Sequence, residues 1–132
     1  MPYICKNPET FKDRVVGSGQ CVAFVQESAK APMTSSWKQG RKVRGPLVLR
    51  WLEGVKIHMD WIHSGTAIAT FADGKYPNAD SGNHAAIYIS QDASGIWVWD
   101  QWAGQPVHKR LIRFKGGRKP DSEDGDTFAV IR

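Results

Sequence analysis

The sequence has few cysteines and no long apolar run. It contains two cysteines in 132 residues, Cys5 and Cys21, and no CxxC pair. Two thiols cannot form a four-cysteine zinc site. No apolar run approaches the roughly 18 residues that a membrane-spanning helix requires, so we expect no membrane insertion. Internal repeats and low-complexity segments are also absent, which excludes a repeat array.

The N-terminal stretch "MPYICKNPET" lacks a basic region followed by an apolar region. We therefore expect no signal peptide and synthesis in the cytoplasm, so that any action elsewhere requires a route other than general secretion. A Cys5–Cys21 disulfide is conceivable in an oxidising compartment, but a cytoplasmic start argues against it. One free thiol with histidines elsewhere in the chain is the pattern of a candidate cysteine nucleophile.

Length and composition indicate one domain, residues 1–132, with one core. The chain is 41% hydrophobic and 23% charged, as is typical of a soluble globular protein. Its net charge of +5 suits nucleic acid, anionic lipid and bacterial cell wall equally, or only a soluble surface. Six tryptophans are many for this length, and some of them can line a cleft that binds sugars or peptides.

Two helices are predicted near the N-terminus. Residues 7–16 resemble a short helix with Asn7 as its N-cap. A second helix is predicted from about residue 20 to 30, capped by Ser18 or Gly19, because apolar residues recur along it at helical spacing. Pro32 follows this helix and favours its end.

Strands dominate the rest of the chain. Residues 34–64 indicate a short helical turn and a basic loop, followed by a helix or a lid-like excursion. After them, five apolar or β-branched runs predict strands, at residues 65–71, 84–90, 96–102, 107–114 and 127–132. The spacer "QDASG" joins the second and third runs as a hairpin. Helices followed by an antiparallel sheet make the predicted fold α+β.

Cys21 has the position of a nucleophile. It stands where the glycine-rich stretch "GSGQ" meets the second predicted helix. The positive end of the helix dipole and the free backbone N–H groups of the first turn favour a thiolate there. The same N–H groups can bind an oxyanion. The alternative is a buried and inert cysteine.

His84 is the candidate base for Cys21. The four histidines are His58, His63, His84 and His108. His58 and His63 lie five residues apart, which suits no helical metal pair. His108 opens a basic strand and is interpreted as a surface residue of that strand. His84 opens an apolar strand, where its backbone is fixed and its ring can lie at the sheet edge. The alternative is a histidine that only caps a strand end.

Asp100 is the candidate group that orients the base. In the predicted hairpin, the start of the first strand faces the end of the second, so His84 comes close to Asp100. A carboxylate there would accept a hydrogen bond from Nδ1–H of His84 and stabilise the imidazolium. The alternative is an aspartate that begins a turn, and Gln101 is then the substitute that orients the base.

The segments "GQCVAFV", "GNHAAIYIS" and "VWDQW" bring a Cys, a His and a polar residue in that order. This combination resembles the papain-like NlpC/P60 and CHAP superfamily of cell-wall peptidases. The resemblance implies a papain-like fold with N-terminal helices on a roughly five-stranded antiparallel sheet. It assigns catalysis to Cys21, His84 and Asp100, with no metal and no cofactor. The connection between His84 and Asp100 is a few residues longer than is usual in that family.

The small size and segments such as "GTAIATF" and "GNHAAIY" also resemble the amidase effectors of bacterial type VI secretion. This resemblance covers roughly residues 15–131, except for 45–63. It implies secretion by type VI machinery into the periplasm of a rival cell. Peptide stems or cross-links of peptidoglycan would be the substrate, and a cognate immunity protein would plug the cleft.

The mechanism that follows is acyl transfer through Cys21, with its backbone N–H as the oxyanion donor. Substrate-binding residues are predicted beside it, namely Gln20, Gln101, Trp102 and Tyr76. Two alternatives stay open at this point. A non-catalytic wall-binding module would leave Cys21 inert, and a nucleic-acid toxin would use the basic segments, although no recognised nucleic-acid motif appears.

Overall fold

The computed structural model describes residues 2–45 and 62–132. These residues form one α-helix and six β-strands, namely α1 (Cys21–Ala29), β1 (Gln39–Lys42), β2 (Ala67–Thr70), β3 (Ala85–Gln91), β4 (Gly95–Trp102), β5 (Gln105–Arg113) and β6 (Phe128–Ile131). Short 3-10 helices lie between them, at Pro8–Phe11, Thr34–Ser36, Asp121–Glu123 and Gly125–Thr127. Among the described residues, no helix has the length and apolar character needed to cross a membrane.

The strands form one antiparallel sheet in the order β1-β6-β2-β3-β4-β5. The predicted α+β class and the β3–β4 hairpin are confirmed. The sheet has six strands where five were expected, because β1 was predicted as a turn and loop. β1 is a basic strand at the sheet edge, where charged side chains remain in water. Its Gly40 lies so close to β6 that an added Cβ would be 2.8 Å from the carbonyl oxygen of Val130.

The first predicted helix is wrong beyond its first turn. Only Pro8–Phe11 is helical, as a 3-10 turn, and Asn7 makes no side-chain cap. The chain then extends, and Val107 of β5 accepts a hydrogen bond from Asp13 N–H at 2.8 Å and donates one to the oxygen of Arg14 at 2.9 Å. Pairing with the sheet thus replaces the helical hydrogen bonds that local sequence favoured.

α1 lies on one face of the sheet through its apolar residues. Phe24, Val25 and Ala29 are buried in a cluster with Ala85 and Ile87 of β3. The small alanines of the central strands allow the helix to approach, and burial of a side chain such as Phe24 contributes about 2 kcal/mol. The predicted cap is wrong, since the N-cap is Gln20, whose side chain makes no capping hydrogen bond.

Two further predictions concern residues 45–63 and the two cysteines. The helix or lid-like excursion expected around residues 45–63 lies almost wholly outside the described residues, as does His58. Cys5 and Cys21 are both free thiols, and Cys5 is buried in the core below α1.

Candidate active site

Cys21 is the first residue of α1 and is half-buried. A tight turn precedes it, in which Gly19 N–H donates to the oxygen of Val16 at 3.0 Å. Gly17 and Gly19 have φ angles of 56° and 87°, which glycine adopts without strain. Because Cys21 opens the helix, its backbone N–H has no helical carbonyl to bond. The sequence therefore places a sulfur and an N–H donor that the helix itself does not use at the same helix end.

His84 immediately precedes β3 and is buried. Its backbone N–H donates to Oγ1 of Thr70, and its oxygen accepts from Thr70 N–H, both at 3.0 Å. In the ring, Nε2 lies 2.6 Å from Oδ2 of Asp100. The prediction that Nδ1 would face Asp100 is wrong, because the ring has the opposite orientation. Nδ1 is therefore the atom left for the hydrogen bond between His84 and Cys21.

Asp100 has no solvent exposure and is surrounded by cationic or ionisable groups. Arg110 Nε donates to the same oxygen, Oδ2, at 2.8 Å. His108 Nε2 lies 3.0 Å from the other oxygen, Oδ1, yet among the described residues neither of these two atoms has a hydrogen bond. Sequence reasoning missed His108 and Arg110. The sequence feature that could have revealed His108 is the β4–β5 hairpin, because its register sets His108 opposite Asp100.

The ionisation of the three groups is coupled. Burial opposes ionisation of the Cys21 thiol, but the hydrogen bond and charge of His84 outweigh it and lower the pKa of Cys21. Burial also disfavours the imidazolium of His84, but hydrogen bonds to Asp100 and Cys21 raise its pKa to about 9. Asp100 keeps a lowered pKa despite burial, through His84 and the charge of Arg110. At neutral pH these shifts favour a thiolate–imidazolium pair beside a carboxylate.

Tyr76 also lies near the sulfur, with its hydroxyl oxygen 3.9 Å from Sγ of Cys21. Asn83 Nδ2 donates to that oxygen at 2.8 Å, and Ala79 N–H holds the Asn83 oxygen at 2.8 Å. Because Asn83 is the donor, the Tyr76 proton remains available. Burial and the nearby Cys21 raise the pKa of Tyr76, so the phenol stays protonated. Trp37 supports the ring at a centroid distance of 5.0 Å.

The other predicted substrate residues have different surroundings. Gln20 is exposed next to Cys21, and its backbone N–H donates to Oγ of Ser18 at 3.3 Å. Trp102 is 40% exposed and packs beside His84 and His108, at centroid distances of 6.3 and 5.0 Å. Both therefore line the edge of the site, where they can reach a substrate.

Gln101 does not fit its predicted roles. It has no solvent exposure, and its amide bonds the main chain of Val16 and Gln20 instead of His84. Successive strand residues point to opposite faces, so Gln101 points away from the carboxylate of Asp100. Its side chain is neither free to contact a substrate nor placed to orient the base.

Metal binding finds no support in the part of the chain that the structure describes. No three His, Cys, Asp or Glu side chains are grouped there so that they could hold a metal ion. Around the sulfur of Cys21 lie His84, which Asp100 holds, the hydroxyl of Tyr76 and the N–H groups of a helix N-terminus. This arrangement suits nucleophilic acyl transfer.

Comparison with known proteins agrees with this chemistry. The sequence profile of the domesticated amidase effector 2 family matches residues 46–131, a range that includes the 46–63 segment left out of the resemblance above. The chain is 40% identical over 119 residues to a type VI secretion amidase effector 2 protein of Salmonella typhi, covering 86% of this chain and 80% of the relative. It is 38% identical over 130 residues to domesticated amidase effector 2 of Ixodes scapularis, covering 96% and 82%.

A solved structure gives the same result in three dimensions. The structure of a type 6 secretion amidase effector 2 superposes with a TM-score of 0.80 at 34% identity, over 100% of this chain and 95% of the other. Sequence and fold thus agree over nearly the full length of both molecules. The chain belongs to the domesticated amidase effector 2 family.

Proposed function

We propose that this protein is a cysteine amidase that hydrolyses peptide bonds in peptidoglycan and acts as an antibacterial effector of type VI secretion. One observation carries the proposal. Asp100 bonds the buried ring of His84 at 2.6 Å, and His84 in turn lowers the pKa of the half-buried Cys21 thiol at a helix N-terminus. Membership of an amidase effector family supports the reaction class, and the names of the relatives support the delivery route.

Catalysis begins with the Cys21 thiolate, because the imidazolium of His84 stabilises it. The sulfur attacks the carbonyl carbon of a stem-peptide amide, and a C–S bond forms while the carbonyl electron pair moves to oxygen. His84 then donates its Nδ1 proton to the amide nitrogen as the C–N bond breaks. Asp100 holds Nε2 throughout, so the ring keeps Nδ1 towards the reacting atoms.

Two donors are placed to stabilise the tetrahedral oxyanion. One is the backbone N–H of Cys21, which has no helical partner. The other is the hydroxyl of Tyr76, whose proton is not used by Asn83. Preorganised donors of this kind act where the negative charge develops in the transition state.

A water molecule completes the cycle. His84, now neutral, accepts a proton from the water as the water oxygen attacks the thioester carbon. The C–S bond breaks, the new carboxylic acid leaves, and Cys21 returns as the thiolate beside protonated His84.

Two amide bonds suit this chemistry, namely D-Glu to diaminopimelate within a stem and D-Ala to diaminopimelate across a cross-link. We propose the cross-link, which the resemblance to the type VI amidase effectors favours. Gln20 is exposed beside the start of α1, and Trp102 is exposed at the end of β4. We assign both to bind the peptide at the edges of the site. In the producing cell, an immunity protein would fill the same cleft and prevent self-digestion.

Digestion of purified sacculi tests the function. Wild-type protein and Cys21→Ala are incubated with sacculi, and the soluble fragments are analysed by mass spectrometry. Cleavage of the cross-link converts dimeric muropeptides into monomers with intact stems, whereas cleavage within the stem shortens the stems. Cys21→Ala is expected to release nothing above background.

Cys5→Ala is the matched control, because Cys5 is also a free thiol but is buried in the core and does not stand at the start of α1. It should retain wild-type digestion. Sacculi that remain intact under the wild-type protein, or that Cys21→Ala still digests, would contradict the proposed function. Intact sacculi that nevertheless bind the protein would instead favour a wall-binding module.

A further inference from the structure

Gln101 binds the turn that leads into Cys21. Its Oε1 accepts from the backbone N–H of Val16 at 2.9 Å. Its Nε2 donates to the oxygen of Val16 and to the oxygen of Gln20, both at 2.8 Å. Both amide hydrogens of this fully buried side chain are therefore used, and both bond the main chain. β4 thereby clamps the two ends of the turn.

The bond to Gln20 acts on Cys21 through the peptide group. The oxygen of Gln20 and the N–H of Cys21 belong to the same planar, trans peptide unit. When the oxygen is held, the direction of the N–H is held as well, pointing the opposite way. A hydrogen bond to the carbonyl also polarises the unit and strengthens its N–H as a donor.

We propose that Gln101 is a positioning residue that fixes the Cys21 backbone N–H as an oxyanion donor. Asp100 and Gln101 are neighbours on β4, and each holds a different part of the site. Asp100 orients the base through its contact with His84, and Gln101 orients the peptide unit beside the nucleophile. One short piece of strand thus sets the geometry between the imidazole and the helix end. The catalytic part of this inference rests on the proposed function.

Gln101→Leu tests the proposal with two readouts. The first readout is the hydrogen-exchange rate of the Gly19 amide, measured by NMR, which requires no substrate. Gly19 N–H bonds Val16, which Gln101 holds, so its exchange should accelerate about tenfold. The second is turnover of peptidoglycan fragments, where kcat should fall about ten- to a hundredfold with KM within about twofold, because the lost interaction acts in the transition state.

A purely structural role predicts a different result. Loss of folded protein or collapse of the site would reduce Cys21 alkylation by iodoacetamide and kcat by the same factor. We expect the alkylation rate to stay within about twofold of wild type, since alkylation needs the thiolate but no oxyanion donor. If Gln101→Leu does not fold, Gln101→Met keeps the length of the side chain but has no hydrogen-bond donor for Val16 or Gln20, and the same loss of kcat is expected.

Gln91→Leu is the matched control. Gln91 lies at the opposite end of β3 from His84, and its Nε2 also donates to a main-chain oxygen, that of Val43, at 2.9 Å. It should leave Gly19 exchange and kcat unchanged. Unchanged Gly19 exchange, kcat within twofold of wild type, or equal losses of alkylation and kcat in the Gln101 variants would overturn the proposal. Wild-type protein that digests no peptidoglycan refutes the proposed function instead, and Gly19 exchange still decides whether Gln101 holds the turn.

Discussion

Nε2 of His84 lies 2.6 Å from Oδ2 of Asp100, on a carboxylate that has no exposure to solvent. The two residues are diagonal neighbours across the β3–β4 hairpin. The pairing of Ile87 with Trp99 sets Asp100 beside the residue two positions after His84. Arg110 Nε shares the same carboxylate oxygen at 2.8 Å, so the acceptor of the imidazole is itself held in place.

Asp100→Asn should shift the alkaline limit of activity to lower pH. Catalysis needs protonated His84, whose pKa is raised to about 9 with Asp100 as a principal cause. Activity is therefore expected below pH 9 and is lost as pH rises through that value. An opposite charge in contact shifts a pKa by about 1–3 units. If loss of the carboxylate charge lowers the pKa of His84 by about two units, the protonated fraction at pH 8 falls from about nine-tenths to about one-tenth, and kcat/KM at pH 8 should fall about tenfold. The pH profile of kcat/KM measures both effects.

Asp92→Asn is the control for that variant. Asp92 is an exposed carboxylate at the turn between β3 and β4, where it accepts a hydrogen bond from Ser94 N–H. Its substitution should leave the alkaline limit unchanged. An alkaline limit that is the same in Asp100→Asn and wild type would show that Asp100 does not control His84.

Cys21 should react with iodoacetamide at pH 6, where Cys5 does not. The pKa of Cys21 is lowered by His84, whereas burial raises the pKa of Cys5, which is 2% exposed. An ordinary cysteine is only roughly 0.3% thiolate at pH 6. Mass spectrometry of the two cysteine peptides gives both rates in one sample. His84→Ala should slow Cys21 alkylation at pH 6 at least about tenfold and move its rise towards pH 9, and an unchanged rate would contradict the ion pair.

Tyr76→Phe should reduce kcat while leaving KM nearly constant. It removes one hydroxyl beside the sulfur of Cys21 and preserves the ring that packs on Trp37. Loss of one oxyanion donor costs about a hundredfold in kcat in well-studied enzymes, and we expect a loss of about ten- to a hundredfold. Tyr88→Phe, whose hydroxyl bonds Gln91 at 3.1 Å near the far end of β3, should retain full activity. Equal kcat values for the two variants would remove Tyr76 from the mechanism.

Asp124→Ala should destabilise the fold by about 3 kcal/mol at pH 7, because a buried carboxylate loses several charge-assisted hydrogen bonds. Oδ1 of Asp124 accepts from Lys115 N–H at 2.7 Å and Asp126 N–H at 2.9 Å, and Oδ2 accepts from Gly117 N–H. Urea unfolding measures the change. Asp80→Ala, at an exposed position, should change the free energy of unfolding by less than about 0.5 kcal/mol.

The contribution of Asp124 should also depend on pH. Burial opposes ionisation, but hydrogen bonds from backbone N–H groups outweigh it and lower the pKa of Asp124 in the folded state. Its stabilisation is therefore complete above the unfolded pKa of about 3.9 and is lost as pH falls through the lower folded value. The difference between wild type and Asp124→Ala should shrink as pH falls below the unfolded pKa of about 3.9, and a constant difference would contradict this origin.

Local sequence patterns predicted the parts of the molecule that depend on near neighbours. Glycines followed by apolar residues at helical spacing predicted α1, which begins at Cys21, and turn residues between two apolar runs predicted the β3–β4 hairpin. The same hairpin reasoning brought His84 near Asp100. These features form from residues close in the chain, so they can be predicted from the sequence without knowledge of the fold.

Tertiary structure decided the features that depend on distant segments. The stretch after Phe11 pairs with β5 instead of continuing a helix, and basic β1 joins the sheet edge. The His84 ring turns Nε2, and not Nδ1, towards Asp100. Arg110 binds the same carboxylate oxygen and holds it in place.

The sequence by itself thus determined which chemical groups the protein carries and on which local elements they stand, because periodicity and turn chemistry act over a few residues. Only the tertiary structure decided which atoms of those groups face one another. Gln101 illustrates the difference, since it is adjacent to Asp100 in sequence but bonds Val16, 85 positions away. Such contacts depend on how α1 and the turn before it pack against the sheet, and no local pattern encodes that packing.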